Sequence, residues 1–246
     1  MQENIDQNSW KYKIAEQIVS SYDKQCAMSK HIFEKVIVKE LLWHATTMIK
    51  GRKGNTKGEL GDEAMINIKI VGQRYWSKNA IKEYTKANPT GKKNWKTVTT
   101  GTLIHEHAVP RKMIQDKIVE ILTIDQKSNG TDMIRDIYEV ISTYSKSVII
   151  TKEEDKNITK DNKKAFTFDG KLTEIINDKF DEEFKEDGKG FIEFMEKNRY
   201  SSKKSVKDGK IEIIDLHDYL YLIKKDKTVP FDKEFKELMH EIQKKI

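Results

Sequence analysis

Two short segments carry residue types that could do chemistry. The first is Leu103-Ile-His-Glu-His-Ala-Val-Pro110, an apolar run ending in an acid, a histidine and, three residues on, a proline. The second is Val148-Ile-Ile-Thr-Lys-Glu-Glu-Asp155, an apolar run ending in carboxylates. Adjacent strand residues point to opposite sides. A bend at the strand end can still let Glu106 hold a hard cation, Mg²⁺ or Mn²⁺, while His107 faces a water. A neutral imidazole at that place takes a proton from the attacking water. Asp155 would bring a second carboxylate to the same ion, and Arg111 and Lys112, just past the proline, would hold flanking phosphates. A cation so held neutralises a phosphate during in-line attack.

These residues resemble the HNH, or ββα-metal, nuclease family. In that family an acid or histidine followed directly by histidine closes the first strand, often as (D/E)-H-x-x-P. Glu106, His107 and Pro110 match that element. The family's second strand runs into a metal-binding helix, and Val148–Asp155 is similar to it, with Asp155 where a histidine is usual. The resemblance covers residues 103–112 and 147–159. It implies a metal-dependent endonuclease with His107 as general base and Glu106 and Asp155 as metal ligands. The stretch between the two elements is longer than the family's, so two helices are inserted between the strands. Thr159 replaces the later helical histidine, and the middle asparagine has no counterpart clearer than Asn129.

Plainer roles exist for the same residues. A Glu-His couple at a strand end can be a satisfied hydrogen bond. Glu154 reads as the second half of a capping box opened by Thr151, rather than as a ligand. Asp155 also suits the positive end of a helix. His105 reads as structural, and His31, His44, His217 and His240 stand in no partner pattern. Three functions therefore stay open: a DNA endonuclease of restriction or phage defence, an RNA-cleaving toxin on the same scaffold, and a non-enzymatic nucleic-acid-binding or inhibitor protein. No strand carries Glu-x-Lys with an upstream acid, which argues against the carboxylate-only nuclease type.

Charge points to a polyanionic partner. The 246 residues hold 46 Lys and Arg against 40 Asp and Glu, a net +6. The excess is local: Lys50–Lys112 carries 14 basic and 5 acidic residues. Each cation placed on a phosphate releases a condensed counterion, so such a region suits nucleic acid, here double-stranded DNA, with Lys92 and Lys93 as further phosphate contacts. A generally lysine-rich composition is the plain alternative. No apolar run approaches the roughly 20 residues of a membrane span. The N-terminus is polar, so a cytoplasmic protein is expected. The single cysteine, Cys26, excludes an internal disulfide framework. The composition leaves room for a homodimer.

The spacing predicts an α+β fold, helix-rich, with a ββα core and helical insertions. Helices are expected over 10–24, from Ser29 to Gly51, from Ser77 to about Asn88, after Pro110, from Thr131 to Tyr144, after Thr151, and over 172–197 and 230–246. Strands are expected at Ile66–Ile70, Trp95–Ile104, Val148–Ile150 and Lys210–Asp215. Lys50–Gly58 reads as a basic glycine-rich loop; it is not a phosphate-binding Walker loop, since no Gly-Lys-Ser/Thr follows at the required spacing. With no linker in sight, the expectation is one domain over 1–246. Its parts are a helical N-terminal part (1–62), a core (95–160) and a helical C-terminal part (161–246).

Overall fold

The structure, a computed structural model, describes residues 9–22, 32–54, 60–67, 70, 73–87, 102–124, 130–158, 192–193, 195–196, 211–216 and 231–246. It is a mixed α and β fold rich in helix. The chain divides into two compact units. The divisions fall at 46/47, 106/107 and 146/147, within or directly between regular elements. A composition shift cannot mark such a boundary, which is why no linker showed in the sequence.

The first unit is helical and takes described residues up to 46 and from 107 to 146. Helix α1 (Trp10–Ser20) opens at Ser9, whose hydroxyl accepts from the Tyr12 N–H at 3.2 Å. It buries Tyr12, Ile14, Ala15 and Ile18. A π-helical turn (Phe33–Val38) runs into α2 (Lys39–Thr47). Helix α4 (Arg111–Ile124) follows Pro110, a residue whose fixed φ suits a helix start. Its stripe Met113, Ile114, Ile118 and Leu122 is buried, as the spacing predicts. Helix α5 (Gly130–Tyr144) buries Met133, Ile137, Val140, Ile141 and Tyr144. It packs on both α1 and α4, and Tyr12 meets Tyr138 edge-on at 5.7 Å.

The second unit holds the strands. Strands β1 (Met48–Gly54) and β2 (Leu60–Asn67) form an antiparallel pair with Arg52 opposite Glu63. This corrects two expectations. The helix ends at Thr47 rather than Gly51, and residues 50–54 of the expected loop are strand. The N-terminal part is therefore not wholly helical. The physical reason is pairing: glycines weaken a helix, and the 60–67 run supplies a ladder for the same backbone.

Strand β3 (Tyr75–Ser77) leads directly into α3 (Lys78–Ala87), with the Ser77 hydroxyl accepting from the Ala80 N–H at 3.0 Å. Strands β4 (Leu103–His107), β5 (Ser147–Thr151) and β6 (Ile213–Asp215) complete a sheet of order β4-β5-β3-β6. Strand β3 is parallel to β5 and antiparallel to β6. All five residues of β5 are buried, as befits an inner strand. Helix α6 (Lys152–Asn157) follows β5 without a break, and α7 (Phe231–Lys245) packs on α3. The core of this unit gathers Trp76, Ile81, Tyr84, Leu103, Ile149, Leu216, Phe235 and Met239. Trp76, Tyr84 and Phe235 meet with centroids 5.5 to 5.8 Å apart. The Trp76 indole N–H is satisfied by the Gln73 carbonyl at 2.8 Å.

Most of the expected C-terminal helix (172–197) and strand residues 95–101 lie outside the described residues. Among the described residues no helix is long and apolar enough to cross a membrane.

Candidate functional site

Strand β4 delivers the Glu106-His107 pair. Two backbone bonds fix how it runs against β5. The Lys152 N–H donates to the Thr102 carbonyl at 2.8 Å, and the Ala108 N–H donates to the Lys146 carbonyl at 3.0 Å. A six-residue advance on one side matches a six-residue retreat on the other, so the pair is antiparallel and Glu106 stands opposite Val148. The chain order is thus strand, antiparallel strand, helix, with α4 and α5 inserted between the strands.

His107 is half-buried at the end of β4, and Glu106 is buried at 9% exposure. Within the helical unit His107 meets the Trp43 indole, ring centroids 5.7 Å apart at 55°. On the same indole lies Arg111, its Cζ 4.7 Å from the ring centroid, a cation–π contact. The expected nearness of Arg111 to His107 therefore has a specific mediator. Lys112 is exposed and pairs with Asp116 one turn along α4. Lys92, Lys93, Asn129 and Thr159 lie outside the described residues, as do His31 and His217. His44 is exposed and His105 buried.

Asp155 sits in the first turn of α6, half-buried. The strand register offsets its backbone from that of Glu106 along the sheet. Val148, opposite Glu106, precedes Lys152 by four residues, about 13 Å of extended strand. Asp155 lies three residues into the helix, which can recover at most about 4.5 Å of that distance. Among the described residues no group of three His, Cys, Asp or Glu gathers as a cation cage. Two carboxylates alone make a sparse set of ligands for a cation, so no catalytic step is derived through one.

Glu154 is the better-organised carboxylate. It is 4% exposed and completes the capping box: its own N–H donates to Thr151 Oγ1 at 3.1 Å, and its Oε2 accepts from the Thr151 N–H at 2.8 Å. Ser77 Oγ donates to the same oxygen at 2.7 Å, and Asn79 Nδ2 donates to Oε1 at 3.0 Å. The carboxylate thus joins the starts of α3 and α6, and both its oxygens are filled. It borders a cavity of about 830 Å³ lined by Asn79, Lys82, Thr102, Lys152 and Lys156 among others.

Sequence reasoning placed the capping box and missed two things. Ser77 reads only as a helix start and Asn79 has no role in the sequence, because their links to Glu154 span more than seventy residues. Trp43 carries no signal of its own in the sequence, and no local pattern ties it to His107. No family model, no curated protein and no solved structure matches the chain.

Proposed function

We propose that this chain is a metal-dependent endonuclease that hydrolyses phosphodiester bonds in double-stranded DNA. The observation that carries the reading is the succession of antiparallel β4 and β5 into α6, with Glu106 and His107 closing the first strand. The local excess of basic residues over Lys50–Lys112 supports a polyanionic substrate.

In this reading His107 is the general base. The strand end and the Trp43 indole limit the orientation of its imidazole, whose Nε2 is buried. Proton transfer from a positioned water is worth roughly 10²–10⁴ in rate. Arg111, set on the Trp43 indole, holds a phosphate beside the base. A divalent cation, Mg²⁺ or Mn²⁺, belongs to the proposal through Glu106 as a hard oxygen ligand, with Asp155 as the second proposed carboxylate.

The test is incubation of the purified protein with supercoiled plasmid and, separately, a structured RNA, in Mg²⁺ or Mn²⁺ and in EDTA. Nicking or linearisation of plasmid in metal, absent in EDTA, is the expected result. Cleavage of RNA alone moves the reading to an RNA-cleaving enzyme. Intact substrates under every condition overturn it.

A further inference from the structure

Arg111 and Lys112 are adjacent cations at the start of α4, yet the structure treats them differently. Lys112 is exposed and pairs with Asp116. Arg111 is half-buried, with its guanidinium on the Trp43 indole at 4.7 Å. Among the described residues no carboxylate forms an ion pair with Arg111. Stacking occupies a face of the guanidinium. A face contact does not use the in-plane N–H donors at the guanidinium edge, which match phosphate oxygens in pairs. The same indole contacts His107 at 5.7 Å. The indole face that Arg111 covers is not available to a nucleobase.

We infer that Trp43 is a positioning residue: its indole holds the Arg111 guanidinium beside His107, so that the guanidinium edge takes one backbone phosphate next to the base. This rests on the endonuclease reading and assigns the phosphate contact to Arg111 rather than to Lys112. A stacked arginine loses less side-chain freedom when it meets the phosphate than a free lysine does, because its plane is already set.

The test is duplex binding in EDTA, which keeps the DNA intact, as a function of salt. It compares wild type with Trp43→Leu, Trp43→Phe, Arg111→Ala, Arg111→Lys and the double variant Trp43→Leu/Arg111→Ala. Trp43→Leu is expected to weaken binding about two- to fivefold, the equivalent of a partly exposed cation–π contact. It should flatten the slope of log K against log salt by about 0.9, one phosphate contact. Arg111→Ala should give the same slope change, and the double variant no further loss, since both remove one contact. Trp43→Phe, which keeps an aromatic face, should recover most of the affinity. Arg111→Lys, which keeps the charge but not the planar fork, should behave like Trp43→Leu. Losses that add in the double variant, a wild-type slope for Trp43→Leu, or wild-type binding by Arg111→Lys overturns the inference while leaving the endonuclease reading in place. A wild-type slope near zero is a different failure: the nucleic-acid reading falls, and this inference with it.

Discussion

Ser77 Oγ donates to Glu154 Oε2 at 2.7 Å, and through that bond the first turn of α3 is tied to the first turn of α6. The same serine oxygen accepts from the Ala80 N–H, and the same carboxylate accepts from the Thr151 N–H. One buried acid therefore serves two helix starts in the second unit.

Removing that acid should cost more than an ordinary cap. Glu154→Ala leaves the Ser77 hydroxyl, the Asn79 amide and the Thr151 N–H to find other partners. The expected loss is about 2–4 kcal/mol, from a buried donor or two left unmade plus a lost cap. Glu154→Gln keeps one acceptor oxygen and should lose about half as much. Urea unfolding followed by circular dichroism measures both, and equal losses for the two variants would contradict the network.

The aromatic core around Trp76 predicts a larger effect. Trp76 is fully buried against Tyr84 and Phe235. Trp76→Ala should destabilise by about 3–5 kcal/mol, the range for emptying a large aromatic site. Phe235→Leu, which keeps most of the volume, should cost about 1–2 kcal/mol. Thermal melts of the two variants should separate clearly.

Arg74 and Asp215 close the β3–β6 edge with two parallel bonds of 2.8 Å each, both side chains about one-fifth exposed. Arg74→Lys retains charge but loses the fork and the stacking on Tyr75, whose ring centroid lies 4.9 Å from the guanidinium. The expected cost is about 1 kcal/mol. A denaturation midpoint unchanged from wild type would show that the pair is worth no more than an exposed one.

Much of this architecture was legible in sequence because it is local. The Thr151–Glu154 capping box, the Ser77 cap and the buried stripes of α4 and α5 follow from spacing over one or two turns. Strand β3 was not legible: it has three residues, and its partners at 148–149 and 213–215 are remote. Residues 50–54 looked like a loop because glycine and lysine are poor strand formers, and only pairing with 63–65 and Leu60 makes them a strand. The placing of Asp155 relative to Glu106 depends on register across a long insertion, which neither segment encodes alone. Trp43 joins His107 and Arg111 over more than sixty residues of chain, beyond any periodicity.

The basic region predicts a salt signature. If five or six side chains of Lys50–Lys112 meet phosphates, log K on duplex DNA should fall with log salt at a slope of about −5. Lys92→Ala with Lys93→Ala should flatten that slope by about 2 without changing which sequence is preferred, since phosphate contacts position but do not specify. A wild-type slope near zero would make the charge excess purely compositional.

The most direct test of the endonuclease reading is single-turnover cleavage of duplex DNA by wild type and His107→Ala, at saturating Mg²⁺ or Mn²⁺, with duplex affinity measured on the same samples in EDTA. His107 lies at the end of β4 and contacts Trp43, so a melt of each sample establishes that the variant is folded. The predicted result is a rate lower by roughly 10²–10⁴ with affinity within about twofold of wild type, the pattern of a lost general base. A folded His107→Ala protein that cuts at near the wild-type rate would contradict the assignment.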